Sequence, residues 1–179
     1  MQDLADAVAR VRAGDRAAFR QIVESTQQRL VRLGARMLGN LAEAEDVVQE
    51  AYVKAFNAIM SGQFDQRSKV ETWLYSIVVH TAIDSSRKRQ RRREDDSIEG
   101  DAQYQPFAQL EARQSLMELQ RWLAVLPEEQ RTVLLLCSFE GLSGKEVAEI
   151  LQCSEGAVEQ RLVRARQALR QQMNQRNPS

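Results

Sequence analysis

The sequence is poor in the residues that form covalent cross-links or bind metals. Its 179 residues include two cysteines, Cys137 and Cys153, and a single histidine, His80. Two cysteines do not make a disulfide framework, and together with one histidine they show no recognisable metal-ligand spacing. We therefore expect both thiols to be reduced and structural. We expect no metal and no other cofactor.

Long apolar runs are also missing. The longest uncharged apolar stretches cover residues 73–83 and 132–139, far short of the roughly 20 residues that cross a bilayer. The N-terminus carries Asp3 and Asp6 and has no basic stretch followed by an apolar one, so a signal peptide is not expected. The sequence predicts a cytoplasmic protein.

Glycine and proline are scarce, with eight and three residues. The stretches between them are filled with Ala, Leu, Arg, Gln and Glu, which favour helices, and no alternating β-branched run competes with them. The sequence predicts an all-α chain. Because the helical pattern lapses near residues 94–110, we expect two small helical domains, 1–94 and 112–179, joined by a flexible acidic linker over 95–111.

The balance of 25 basic and 25 acidic residues conceals strong segregation of charge. Residues 87–93 carry six positive charges in seven positions, and residues 94–101 carry five acids and no base. Residues 161–176 contain five arginines and no acid. Basic blocks of this kind are typical of surfaces that meet a polyanion, so a net charge of zero does not exclude a nucleic-acid partner.

The clearest local pattern lies in the last third of the chain. Ser143 and Glu146 form a capping box before a short helix, and a tight connection over residues 152–154 leads into a longer helix from Glu155 to about Gln172. That longer helix has an apolar back and arginines beside it, as a helix that enters the major groove requires. The sequence predicts a helix-turn-helix.

Two neighbouring N-terminal helices carry weaker patterns. Asp46, Gln49 and Glu50 are three and four residues apart, so they share an exposed face, which taken alone reads as an ordinary solvated surface. One edge of the following helix could stack unpaired bases and hold phosphates, although core packing or local hydrogen bonding explains its aromatic and histidine equally well. This edge consists of Trp73, Ile77, His80, Asp84 and Arg87.

Taken together, the patterns resemble a bacterial extracytoplasmic-function (ECF) RNA polymerase sigma factor of the minimal two-domain type. The resemblance covers nearly the whole chain. It is carried by residues 44–52, 54–56 and 72–77 with Asp84 and Arg87, and by residues 126–127, 146–148 and 158–166. The sequence departs from the family pattern at His80, where asparagine is usual, and at Gln152, where glycine is usual.

The resemblance implies a role for each surface. A region 2 type domain would bind the clamp helices of the largest polymerase subunit through Asp46, Gln49, Glu50 and Lys54. The same domain would bind the promoter −10 element through Phe64, Trp73, His80, Asp84, Arg87, Lys88 and Arg91. A region 4 type domain would meet the flap of the second-largest subunit and bind the −35 element through Ser154, Glu155, Ala157, Glu159, Gln160, Arg161 and Arg164.

The function implied is that of a sigma factor that directs core RNA polymerase to the promoters of an alternative, stress or envelope-type regulon and promotes DNA opening. The resemblance also implies control by an anti-sigma factor, membrane-bound or not. No catalytic residue and no small-molecule substrate are expected.

Two other classes of function stay open on the residues alone. The first is a one-component transcription regulator with a helix-turn-helix, which would bind duplex DNA without polymerase. The second is an adaptor whose charged faces bind only proteins. An enzyme is disfavoured, because there is no Gly-rich phosphate loop, no second histidine and no nucleophile elbow.

Overall fold

The computed structural model describes residues 4–95, 117 and 119–176, and within these residues it contains helices and no strand. The all-α prediction is confirmed. Residues 119–123 are helical, and the longer helices are α1 (Leu4–Arg12), α2 (Phe19–Leu38), α3 (Leu41–Met60), α4 (Val70–Asp95), α5 (Glu128–Ser138), α6 (Gly144–Leu151) and α7 (Glu155–Arg176).

The helix starts follow from local capping. The Asp15 carboxylate accepts a hydrogen bond from the Ala18 backbone N–H at 3.3 Å and begins a 3₁₀ turn that leads into α2. Arg10 pairs with that carboxylate and holds the pKa of Asp15 below its ordinary value. At the start of α3, the Asn40 side chain accepts a hydrogen bond from the Glu43 N–H at 3.1 Å. Both ends are satisfied as N-cap chemistry requires.

Helices α1–α4, which we call the N-terminal group, pack around a shared apolar core. Leu33, Ile59 and Leu74 are fully buried there. Gly34 lets α2 and α3 approach closely, because a Cβ at this position would lie 3.1 Å from the Cβ of Ala44. The close packing of α3 against its neighbours fixes which side of α3 faces outward.

Residues 119–176, the C-terminal group, contain the predicted helix-turn-helix. Helix α5 is buried through Val133, Leu135 and Leu136, and α7 packs its back on it through Val158 and Ala165. The capping box is present, with Ser143 N–H donating to Glu146 Oε2 at 2.9 Å and Glu146 N–H to Ser143 Oγ at 3.2 Å. These bonds lower the pKa of Glu146.

The two groups pack directly on each other. Helix α2 contacts α5 and α4 contacts α6, and the buried apolar residues of both groups form one continuous cluster. The linker predicted over 95–111 lies, from residue 96 onward, outside the described residues, so its limits stay a prediction. Within the described ranges no helix is both long and apolar enough to span a membrane.

Candidate nucleic-acid interface

Helix α3 presents an acidic face to solvent. Asp46, Gln49 and Glu50 are all exposed, as their spacing predicts, while Val47 and Val48 between them are buried. Alternate burial of this kind leaves the three polar side chains on one side of the helix. The face can therefore meet a protein surface without any change in the packing of α3.

Lys54 lies one turn beyond Glu50 and joins this face to the next helix. Its Nζ is 2.7 Å from Glu50 Oε1 and donates a hydrogen bond to Thr81 Oγ1 at 3.1 Å. Thr81 is buried on α4, next to the exposed His80. Lys54 thus bridges the acidic face of α3 and the predicted DNA-binding edge of α4.

The structure places Phe64 in the core, contrary to its expected place among the −10 contacts. Phe64 is 2% exposed and stacks on Trp73, with ring centroids 4.2 Å apart and planes 26° apart. Its backbone carbonyl accepts a hydrogen bond from the Arg12 guanidinium. Both contacts hold the ring inward because they bury its apolar surface, so Phe64 supports the half-buried Trp73 and has no free face for a base.

The polar part of the α4 edge is exposed. His80 and Asp84 both face solvent, and His80 Nδ1 donates to the Ser76 carbonyl oxygen at 2.7 Å. That hydrogen bond fixes the ring, so a neutral imidazole presents Nε2 as an acceptor. His80 therefore satisfies a local hydrogen bond and still offers one outward-facing polar atom.

The basic block at the end of α4 divides into two kinds of side chain. Lys88 and Arg91 are exposed, and Arg87 pairs with Glu128 of the C-terminal group at 2.8 Å. Arg89 points inward instead, where it meets Glu43 at 2.6 Å and donates to the Leu38 carbonyl oxygen. Arg89 is a structural tie between α4 and the start of α3.

The front of α7 is largely exposed, as the helix-turn-helix pattern predicts. Ser154 caps the helix by accepting a hydrogen bond from the Ala157 N–H at 3.2 Å, and Ala157 is half-buried. The remaining exposed polar candidates on this front are Glu155, Glu159, Gln160 and Arg164. Arg161 differs, because its side chain is only 26% exposed and pairs with Glu129 at 2.7 Å.

Three carboxylates that touch these surfaces do not appear among the residues predicted from the sequence. Glu128 and Glu129 begin α5, where acids suit a helix N-terminus, and that ordinary reading hides their pairing with Arg87 and Arg161. Glu140 has no distinctive neighbour pattern, yet it is buried against α2 and α4. No local sequence signal identifies it.

Metal and thiol chemistry have little support in this fold. Across the described part of the chain, no cluster of three or more His, Cys, Asp or Glu side chains is arranged to hold a metal ion. Cys137 and Cys153 are both unpaired and half-buried. Burial raises the pKa of the Cys137 thiol, and a protonated thiol is a poor nucleophile.

The two helical groups match two known family regions. The family model described as Sigma-70 region 2 matches residues 22–92, and the one described as Sigma-70, region 4 matches residues 116–169. The chain is 36% identical to the RNA polymerase sigma-H factor of Pseudomonas aeruginosa over 90% of this chain and 89% of that protein. It is 35% identical to the ECF RNA polymerase sigma factor SigW of Bacillus subtilis, over 93% and 94%.

The chain belongs to the ECF RNA polymerase sigma factors. Among solved structures it is similar to CnrH, determined in complex with the cytosolic domain of CnrY, with a TM-score of 0.75 and 25% identity over 96% of this chain and 97% of that one. It also shares the fold of the sigma factor RpoE of Bartonella quintana, with a TM-score of 0.66 and 24% identity over 87% and 96%.

The predicted family and function are confirmed by these matches. Sigma factors are transcription-initiation factors that act with core RNA polymerase on promoter DNA. In this sigma factor the acidic face of α3 and the α4 edge both fall within the matched region 2, and the helix-turn-helix falls within the matched region 4.

Proposed function

We propose that this sigma factor binds core polymerase through Asp46, Gln49, Glu50 and Lys54, and that α4 and α7 bind the −10 and −35 promoter elements. The observation that carries the proposal is common to the three surfaces. Each exposes polar side chains on a helix whose opposite side is fixed in the apolar core. Exposed polar groups on a rigid support are what a protein or nucleic-acid interface needs.

On the −10 side, Trp73 stacked on Phe64 offers an aromatic surface, and His80 and Asp84 offer polar groups on the same helix. Arg87, Lys88 and Arg91 provide phosphate contacts. Stacking of an unpaired base on an aromatic side chain is worth about 1–3 kcal/mol per base. Capture of bases from an opened strand would supply the free energy for strand separation.

On the −35 side, the first turns of α7 enter the major groove. Glu155, Glu159 and Gln160 can hydrogen-bond to base edges, and Arg161 and Arg164 can reach bases or phosphates. Ser154 and Ala157 bring the helix start close to the DNA backbone. No step of this mechanism is catalysed by the sigma factor itself, because the polymerase carries out nucleotide addition in the cytoplasm.

The decisive experiment is run-off transcription with purified core polymerase on a promoter library. We expect products that require the sigma factor and that share two sequence elements at a fixed spacing. Absence of promoter-dependent products from a chain that binds duplex DNA tightly by itself would favour the one-component regulator.

Two arginines on α7 provide a matched pair for the −35 assignment. Both Arg164 and Arg170 are exposed, but Arg170 lies further from the start of the recognition helix. We expect Arg164→Ala to weaken promoter binding by the holoenzyme by about 5- to 150-fold, which corresponds to about 1–3 kcal/mol for a base contact. Arg170→Ala should have little effect, and equal losses in both variants would contradict the assignment.

We also propose that an anti-sigma factor controls the chain, as the family resemblance implies. Support comes from the RpoE structure of the same fold, which contains the anti-sigma factor NepR. The chain isolated from unstressed native cells should elute as a complex with one further protein and should not bind core polymerase. Elution as a free chain that binds core polymerase at full strength would contradict this control.

A further inference from the structure

A buried carboxylate joins the two helical groups. Glu140 follows α5, and its side chain is only 5% exposed. Arg36 of α2 lies 2.8 Å from Glu140 Oε1, and the Tyr75 hydroxyl of α4 donates to Oε2 at 2.9 Å. Arg36 and Tyr75 belong to the N-terminal group, so both oxygens of a C-terminal carboxylate are satisfied by the opposite group.

Such a site is sensitive to the loss of either partner. A buried charge is tolerated only when it is paired and hydrogen-bonded, and removal of one partner leaves the other uncompensated. Arg36 also stacks over the Phe139 ring, 4.9 Å from the ring centroid, which orders its guanidinium. Burial and the neighbouring Glu140 both raise the pKa of Tyr75, so its hydroxyl stays a donor.

Further contacts extend the same interface. The Gln120 side-chain amide donates to the Arg36 backbone carbonyl, and Gln120 also packs on Gly39, where a Cβ would lie 3.2 Å from it. At the other end of the interface, Lys69 Nζ lies 3.7 Å from Glu146 Oε1. The groups are therefore held at several points, with Glu140 the most buried of these polar contacts.

This arrangement covers the proposed DNA-binding residues. A cleft of about 240 Å³ is lined by His80, Asp84 and Arg87 from α4 and by Glu129 and Arg161 from the C-terminal group. DNA cannot enter a cleft of this size, because even the major groove is about 12 Å wide. Within it, Arg87 and Arg161 already bind the adjacent carboxylates of Glu128 and Glu129.

We propose that the sigma factor on its own is autoinhibited by docking of its two groups through Glu140, with Glu128 and Glu129 taking the place of DNA phosphates at Arg87 and Arg161. The proposal rests on the DNA-binding role proposed above. It explains how a chain with two DNA-binding faces avoids promoter DNA until it joins polymerase, whose binding face on α3 stays exposed.

The docked state can be measured without DNA. Gln27 of α2 and Gln167 of α7 are exposed, so Gln27→Cys and Gln167→Cys can carry a fluorophore pair in a full-length chain with Cys137→Ser and Cys153→Ser. We expect one short-distance population in the parent chain. Glu140→Gln should shift it to longer distances, and Tyr75→Phe, which removes only a hydroxyl, should shift it in the same direction.

The matched control is Glu24→Gln. Glu24 forms an exposed ion pair with Arg20 at 2.6 Å, so the control removes an equal charge away from the interface and should leave the distance unchanged. Circular dichroism checks that every variant keeps its helices. A parent chain that is already extended, or unchanged distances in both Glu140→Gln and Tyr75→Phe, would overturn the docking proposal.

DNA binding by the free chain tests autoinhibition separately. If the undocked state is about 10% populated or less, opening the chain should raise its apparent affinity for selected promoter DNA by about tenfold or more. Glu140→Gln should show this gain, and so should Glu128→Gln with Glu129→Gln. Opening without any gain would overturn autoinhibition, whereas failure of the parent holoenzyme to transcribe would instead contradict the proposed function.

Discussion

The acidic face of α3 and the arginine-bearing faces of α4 and α7 differ in how far the chain already uses their charges. On α3, Asp46 and Gln49 are exposed, and neither has an ion pair or a side-chain hydrogen bond among the described residues. On the other two helices, Arg87 and Arg161 are paired with carboxylates of the chain. The polymerase-binding face is therefore available at once, whereas the DNA-binding faces must first exchange internal partners for phosphates.

This difference suggests an order of events. Long-range attraction favours association of complementary charged surfaces, and α3 can take part without rearrangement. DNA binding requires that Glu128 and Glu129 release their arginines, so it gains little until the groups separate. An exposed polymerase-binding face beside covered DNA-binding faces would make promoter recognition conditional on assembly.

The largest effect should come from reversing the charge of the α3 face. Asp46→Lys with Glu50→Lys should weaken binding to core polymerase by about 100-fold or more, because like charges facing each other cost several kcal/mol and each 1.4 kcal/mol is tenfold. The fold should persist, since the lost Glu50–Lys54 pair is an exposed i,i+4 pair worth about 0.2–0.5 kcal/mol. Titration of labelled chain with core enzyme measures the effect.

The control for this variant is Asp6→Lys with Glu24→Lys, which makes the same charge change at exposed positions on α1 and α2. Native affinity in the α3 variant together with an intact helical spectrum would show that the face does not bind polymerase. Equal weakening in the control would attribute the loss to net charge.

An intermediate effect is expected within the basic block, where two arginines differ in environment. Arg89→Gln should lower the free energy of unfolding by about 1–2 kcal/mol, because the charge-assisted hydrogen bonds to Glu43 and the Leu38 carbonyl are lost. Arg91→Gln should leave stability within about 0.5 kcal/mol. It should instead reduce the salt slope of promoter binding by about 0.7–0.9.

Denaturant unfolding and salt titrations of the holoenzyme measure the two quantities separately. Equal stability of the two variants would mean that the inward contacts of Arg89 contribute nothing. An unchanged salt slope for Arg91→Gln would mean that this side chain faces away from DNA.

The block also illustrates the limit of sequence reasoning. Six positive charges in seven positions are equivalent as a pattern, but helical geometry turns Arg89 toward Glu43 and leaves Arg91 in solvent. Phe64 misleads for a related reason: an aromatic in a glycine-containing loop is as suitable for stacking on a base as on Trp73. Only the tertiary position of that tryptophan decides between them.

Features set by short-range chemistry are predictable. The Asn40 cap and the Ser143–Glu146 capping box follow from residue type and spacing, and the helix-turn-helix follows from the apolar period. The Glu140 contacts join residues 65 and 104 positions apart. No local pattern encodes a contact at that separation, which explains why the docked arrangement appears only in the folded chain.

The smallest effect concerns the turn on the DNA side alone. Gln152 ends α6 with φ 51°, in the left-handed region, where a residue with a Cβ is strained and glycine is not. Gln152→Gly should therefore raise the free energy of unfolding by about 0.5–1 kcal/mol. Gln167→Gly, in the exposed interior of α7, should lower it by about 1 kcal/mol. Neither change touches an arginine pair, so denaturant unfolding should register both while the distance between the two groups stays the same; a longer distance in Gln152→Gly would show that the turn itself helps to hold the DNA-binding faces closed.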